Sequence, residues 1–399
     1  MKKMFSTLNK MAMKIKLLKY ISILGIILIF SCKKQNRVII PNTSMNSFES
    51  IFDSFWLKMN TNYVYWDIDT TNWDRVYTNY KPIFNDLDIH KISDVKKSVG
   101  LFKEITSGLI DYHFYINFLP LGINDSMVYP ALIHKQNNSN FYTPYNYFQV
   151  DKNYMDKGYQ LIFDNNYSIN GVPLTVLVGT INSEIIYFNC NQFKLKRSYL
   201  SNSPNTIKPA IDSFFKMVQY NSMGYNGIII DVRSNQGGDL WDLNFLLSNF
   251  ITTPLHYGYL QSKSNNNRLD FTPWLPSVIN PSKKYMLQLP RIIVLGDKNS
   301  ASLSETTILA IKTIPGSLFV GETTWGATGP VVDNDVLNDG SFKVGNFMKV
   351  QASSAKFKYL DGFIYESKGI NPDYNIRFDI KQLKNGIDKG LEKAIELLQ

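Results

Sequence analysis

Apolar residues recur at three- and four-residue steps three times near the start of the chain. Phe48, Ile51, Phe52, Phe55 and Met59 form one stripe. Trp73, Val76, Tyr77 and Tyr80 form a second that ends before Pro82. Val95, Val99, Phe102, Ile105 and Leu109 form a third. This spacing predicts three helices, each with one apolar face, so residues 47–113 read as a helical module. From 114 to 200 the pattern changes to short apolar runs, FYINF, YQLIF, PLTVLVG and EIIYFNC, separated by Asn, Gly and Pro, which predicts strands. Helix and strand then alternate. A helix is expected over 204–220, a buried strand over 227–232 (GIIIDV) and a helix over 240–250. They are followed by a strand over 291–295 (RIIVL), a helix over 302–313, a strand over 317–321 and a closing helix over 387–398. Such alternation predicts an α/β layered core over 114–399, with 257–290 as a long excursion from it.

The first 46 residues do not share these patterns. Lys14, Lys16 and Lys19 precede an apolar run, Tyr20 to Phe30, that is too short for a convincing membrane span and reads as a signal peptide. It ends Ile29-Phe30-Ser31-Cys32, which resembles the bacterial lipoprotein processing box. Residues 1–32 are therefore expected to be a lipoprotein signal peptide. Cys32 is the expected lipid attachment, 33–46 a polar tether, and the cell envelope the expected location, with the protein held at a membrane by its acyl chains.

That reading changes the charge balance. The formal net charge of +9 falls to about +3 once the six lysines of 1–32 are set aside. No basic surface remains to argue for nucleic acid. The chain has 2 Cys and 4 His; with Cys32 acylated, Cys190 has no disulfide partner, and the histidines form no metal-binding spacing. No metal or cofactor is expected.

Three segments carry chemistry. Asp231-Val-Arg233-Ser-Asn235-Gln-Gly237-Gly238 ends a buried strand in a two-glycine turn, where backbone N–H groups can approach an oxyanion. Asn299-Ser300-Ala301-Ser302-Leu303-Ser304-Glu305 opens a helix, where a serine is held rigidly and the helix dipole favours an anion. Gly321-Glu322-Thr-Thr324-Trp-Gly326 is a strand end and turn. Taken singly, each is also an ordinary strand end, helix cap or turn.

In this order and spacing, the three resemble the S41-type serine peptidases, the family of tail-specific and tricorn core proteases. The resemblance covers about 190–380. It extends upstream through Trp73-Asp-x-Val-Tyr and Leu109-Ile-Asp111-Tyr-His113. It implies a ClpP/crotonase-like layered β/α core behind the helical module, and peptide or protein substrates. It makes Ser302 the nucleophile, with Ser300 and Ser304 nearby, and gives the oxyanion-binding groups as Leu303 with Gly237 and Gly238. The Ser-Lys branch places its lysine where Ala327 stands here, so the general base implied is the tricorn-type histidine, His113. Two departures stand beside it: Tyr112 replaces the glycine of the family's Asp-Gly-His, and the serine before tricorn's histidine is missing. Glu366, in Glu366-Ser-Lys-Gly369-Ile-Asn-Pro372-Asp373, is the implied orienting acid, with Glu322 and Asp111 as rivals. No carboxylate-binding loop of an inserted PDZ domain is visible. An inactive peptide- or glycan-binding lipoprotein on the same fold is the second reading. Acyl-CoA chemistry, a third, is disfavoured by export.

Overall fold

The computed structural model describes residues 45–169, 171–219, 224–282, 291–332 and 340–399; the signal segment, Cys32 and nearly all of the tether lie outside these. The first three helices are α1 (Phe48–Asn62), α2 (Trp73–Asn85) and α3 (Ile92–Thr106). Ser47 caps α1, its Oγ accepting from Ser50 N at 3.2 Å. The predicted stripe of α1 is fully buried. α2 runs three residues past Pro82 instead of ending before it. A proline inside a helix costs about 3 kcal/mol. Here Pro82 is exposed, so the carbonyl it leaves unbonded can meet water. The following Phe84 is fully buried and stacks on Phe52 at 4.6 Å, a burial of about 1.5–3 kcal/mol that offsets most of the loss.

The helices do not close a core by themselves. They pack on a four-stranded sheet of order β11-β12-β1-β2, made of β1 (Tyr115–Phe118), β2 (Met127–Val128), β11 (Phe342–Val344) and β12 (Met348–Gln351). Ile116, Phe118, Val344, Met348 and Val350 share one cluster with Phe48, Phe55 and Phe102. The core of the N-terminal helices therefore draws on residues more than 220 positions later, and residues 42–399 form one compact unit.

The larger sheet has seven strands in the order β14-β10-β9-β6-β5-β4-β3. These are β3 (Gln160–Ile169), β4 (Val172–Ile181), β5 (Ile185–Cys190), β6 (Gly227–Asp231), β9 (Arg291–Gly296), β10 (Leu318–Gly321) and β14 (Tyr374–Asn375). From β5 to β14 every pairing is parallel; β3 and β4 add an antiparallel edge. Both faces are covered, which explains the unbroken apolar runs. Ile228, Ile230, Ile292, Val294 and Phe319 face one cluster with α5 (Lys208–Gln219), α6 (Trp241–Leu247) and α7 (Leu303–Lys312). Their neighbours Ile229, Ile293, Leu295 and Val320 face the other, with α8 (Lys389–Leu398). The excursion at 257–290 contributes β7 (Leu255–Ser262) and β8 (Leu275–Ile279), which pair with β13 (Ala355–Tyr359) in a third sheet. A short helix, α4 (Pro130–Gln136), leads from β2 into the segment 137–147. Among the described residues no helix is long and apolar enough to cross a membrane.

Candidate active site

Parallel strands send their carboxyl ends to one edge of a sheet, where successive loops converge. Here the loop after β6 carries the Gly237-Gly238 turn, the loop after β9 carries Ser302, and the loop after β10 carries Glu322 to Gly326. The three are bonded to one another. Ala301 N donates to Asn235 O at 3.1 Å and Trp325 N to Ser300 O at 3.0 Å.

Among the three serines of the nucleophile turn, two serve the fold. Ser300 Oγ donates to Val232 O at 2.8 Å and Ser304 Oγ to Asn235 O at 2.7 Å, and both are fully buried. Ser302 alone is partly exposed. It sits at the head of α7 with φ 58° and ψ −119°, a conformation that costs a non-glycine residue of order 1–3 kcal/mol. Buried Glu305 holds it there. The Glu305 carboxylate accepts from Ser302 N at 3.1 Å, Thr324 Oγ1 at 2.5 Å, Gly326 N at 2.7 Å and Ala327 N at 2.7 Å. In the sequence Glu305 stands only as the motif acid three places after Ser302; its hold on the 324–327 turn comes from tertiary structure.

The glycine turn lies directly against this helix start. A Cβ on Gly237 (φ 97°) would meet Ser302 Cβ at 2.7 Å and Leu303 N at 2.9 Å. The N–H of Gly237 is already taken, donating to Asn235 Oδ1 at 2.8 Å, so of the two glycines it is Gly238 that keeps a donor for a ligand. Gly238 and Leu303 N–H have no acceptor among the described residues.

His113 comes from the far side, on the segment between α3 and β1. One ligand atom from each of Asp111, His113 and Glu366 lies within 4.8 Å of the others. Glu322 belongs elsewhere: it accepts from Tyr142 Oη and faces Lys298 Nζ at 3.5 Å. Glu366 is buried and heavily donated to. Tyr112 N reaches one oxygen at 2.7 Å; Thr328 N and Gly329 N (both 2.8 Å), Tyr65 Oη (3.0 Å) and Thr328 Oγ1 (3.1 Å) reach the other. Asp111 accepts from Ser353 N at 2.7 Å, Ser353 Oγ at 2.8 Å and His113 N at 2.9 Å. With N–H and O–H hydrogens already aimed at both carboxylates, this trio does not suit a metal ion.

Four consecutive N–H groups thus divide between two buried acids. Gly326 and Ala327 serve Glu305 on the serine side; Thr328 and Gly329 serve Glu366 on the histidine side. Ala327 stands at the join, in a cluster with Ala301, Trp325, Tyr112 and Tyr129. The His113 ring bonds to neither Ser302 nor an acid among the described residues, and its Nδ1 is buried without a partner. Burial lowers its pKa to about 4. Burial, and then the charge of Asp111, push Glu366 upward to about 8, against the pull of the Tyr112 and Gly329 N–H groups.

Beneath the loops, buried Arg233 reaches both oxygens of Asp388 from Nη1 (2.8 Å to each), engages Asp231 through Nε and Nη2, and lies over the Tyr147 ring at 4.0 Å. This ties the end of β6 to the start of α8. The pairing with Asp388 was not visible in the sequence, because 155 residues separate the partners.

A helix-borne, strained serine at the carboxyl edge of a parallel sheet, backed by a two-glycine turn, defines a mixed α/β class with a serine-centred site. Residues 184–376, just under half of the chain, match the model of peptidase family S41, so the chain carries a segment of that family. The match includes Ser302, Glu366 and the glycine turn and leaves His113 upstream. The nisin-resistance protein of Lactococcus lactis subsp. lactis is 30% identical over 155 residues, 37% of this chain and 46% of its own length. The carboxy-terminal processing protease CtpB of Bacillus subtilis is 28% identical over 151 residues, 38% of this chain and 28% of its own. The match therefore spans less than half of either relative. A crystal structure from Parabacteroides merdae has the same fold, with a TM-score of 0.66 at 21% identity over 88% of this chain and 96% of that one.

Proposed function

We propose that this chain is an exported, lipid-anchored serine peptidase. Ser302 Oγ attacks the scissile carbonyl while an imidazole nitrogen of His113 takes its proton. The C–N bond breaks, His113 returns the proton to the leaving amine, and water then hydrolyses the Ser302 ester. The Leu303 and Gly238 N–H groups carry the oxyanion, and Glu366 positions the His113 segment through Tyr112 N. The observation that carries this reading is that Ser302 is the one serine of its turn whose O–H donates to no group of the fold among the described residues. The S41 match over residues 184–376 and an imidazole on His113 that burial keeps neutral support it as well. Peptides or proteins are the substrates on this reading, and acyl chains on Cys32 hold the enzyme at a membrane.

A second reading, a binding protein without activity, is favoured by one observation: the His113 ring is bonded to neither Ser302 nor an acid. The two separate cleanly. A fluorophosphonate probe is expected to label wild type and not Ser302→Ala, and an unstructured protein is expected to be cut by wild type but not by Ser302→Ala or His113→Ala. Absence of labelling and of cleavage in wild type would sink the enzyme reading. The anchor is tested apart from it, by loss of labelled palmitate from Cys32→Ala.

A further inference from the structure

We infer that the cavity beside the nucleophile turn, lined by Asn140, Phe141, Tyr142, Lys298, Glu322 and Arg377, receives an acidic side chain of the substrate; this rests on the peptidase reading. The cavity measures about 390 Å³, ample for a glutamate side chain. Part of its wall comes from the two loops that hold the serine, the rest from segment 140–142 and from residues 375–378. Lys298 stands four residues before Ser302, and Thr323, also on the lining, stands two before Trp325, whose N–H bonds Ser300 O. A residue of extended peptide advances about 3.3 Å, so a side chain a few places from the scissile bond reaches it. One wall is rigid: Tyr142 stacks on Phe378 at 4.0 Å with planes 12° apart.

The charges decide the ligand. Glu322 is buried and already occupied, by Tyr142 Oη and by Lys298 at 3.5 Å. Arg377 has no acid partner among the described residues, and its planar fork matches a carboxylate with two parallel hydrogen bonds. A further cation stands near. Lys135 lies between the rings of Tyr112 and Trp325, 5.3 and 5.4 Å from their centroids, with no salt bridge among the described residues. It is close enough to Lys298 for their like charges to be felt. An apolar side chain here would strip water from these cations and return nothing; a carboxylate replaces that water with charge-assisted bonds.

Two measurements test this. Cleavage of a peptide library is read by mass spectrometry for wild type and Arg377→Gln. Binding of paired peptides that differ only by Glu or Gln is measured on Ser302→Ala and on Ser302→Ala/Arg377→Gln. Asp and Glu are expected to be enriched at one fixed subsite. Arg377→Gln is expected to cut the Glu-over-Gln preference by roughly tenfold or more, the size of one lost charge-assisted contact. Cleavage with no acidic preference overturns the cavity assignment and leaves the peptidase reading intact. A preference that disappears when the peptide carboxyl terminus is amidated overturns the side-chain assignment in favour of a terminal carboxylate. An inert wild type whose chain still binds the Glu peptide over its Gln twin sustains the cavity and refutes the peptidase.

Discussion

Ser302 and His113 are held in unlike ways, and each has a consequence of its own. The serine is fixed by its backbone, with φ at 58° and its N–H on Glu305. The histidine is fixed by burial, with no bond to its ring Nδ1. Burial lowers the imidazole from 6.5 to about 4, so it stays a proton acceptor far into the acid range. On the peptidase reading, the acid limb of kcat/KM against pH is expected near 4 and not near 6.5. The sign for stability is fixed by the same shift. Between 6.5 and 4 the unfolded imidazole binds a proton that the folded one refuses, so stability falls as pH drops through that window. His113→Gln is expected to lose this component of the slope in urea titrations at pH 7 and pH 4.5. The candidacy of Ser302 was legible through the family resemblance, because the motif that carries it is one short continuous run, Ser300 to Glu305. The bonding of Glu366 was not, since Tyr65, Tyr112 and Thr328 reach it from three separate segments.

Among the elements, the two-glycine turn and the 326–329 turn decide whether the site keeps its shape. Gly237→Ala would force a methyl into Ser302 Cβ and Leu303 N at a positive φ. The expected result is a loss of about 1–3 kcal/mol in stability and a fall in kcat of roughly 10²-fold, read by thermal melts and steady-state kinetics. Glu305→Gln would turn an amide N–H toward one of the four donors now on Glu305. It is expected to cost about 1–3 kcal/mol and to abolish fluorophosphonate labelling while the far-ultraviolet dichroism persists. The buried parallel strands β5, β6 and β9 were plain in the sequence, because both faces need apolar side chains. α2 was misjudged at Pro82, where the packing of Phe84 outweighs the local preference to stop. β11 and β12 were not seen at all: three and four residues are too few to show a period, and what holds them is the pairing of β12 with β1 and of β11 with β12.

Across the whole molecule, ionic contacts fasten the helical layer to the excursion and the third sheet. Arg268 bonds Asn60 Oδ1 at 2.6 Å and Asp74 Oδ2 at 2.9 Å. Lys356, with a fully buried side chain, pairs with Asp67 at 2.5 Å. Removing one partner of such a pair leaves a charge buried alone. Asp67→Asn is therefore expected to destabilise by about 3 kcal/mol and to raise hydrogen exchange in α1 and α2 before the seven-stranded sheet is affected. The pairing of β1 with β12 has a further consequence, in time instead of space. The first helices have no complete core until residue 351 has been made and delivered, so the N-terminal layer is a late event in the life of the chain. Because His113 rides on that layer and Ser302 on the seven-stranded sheet, a partly synthesised chain holds Ser302 before His113 is in place. On the peptidase reading, the newborn enzyme is harmless to its own unfolded segments, and becomes competent only when its last quarter has closed over its first.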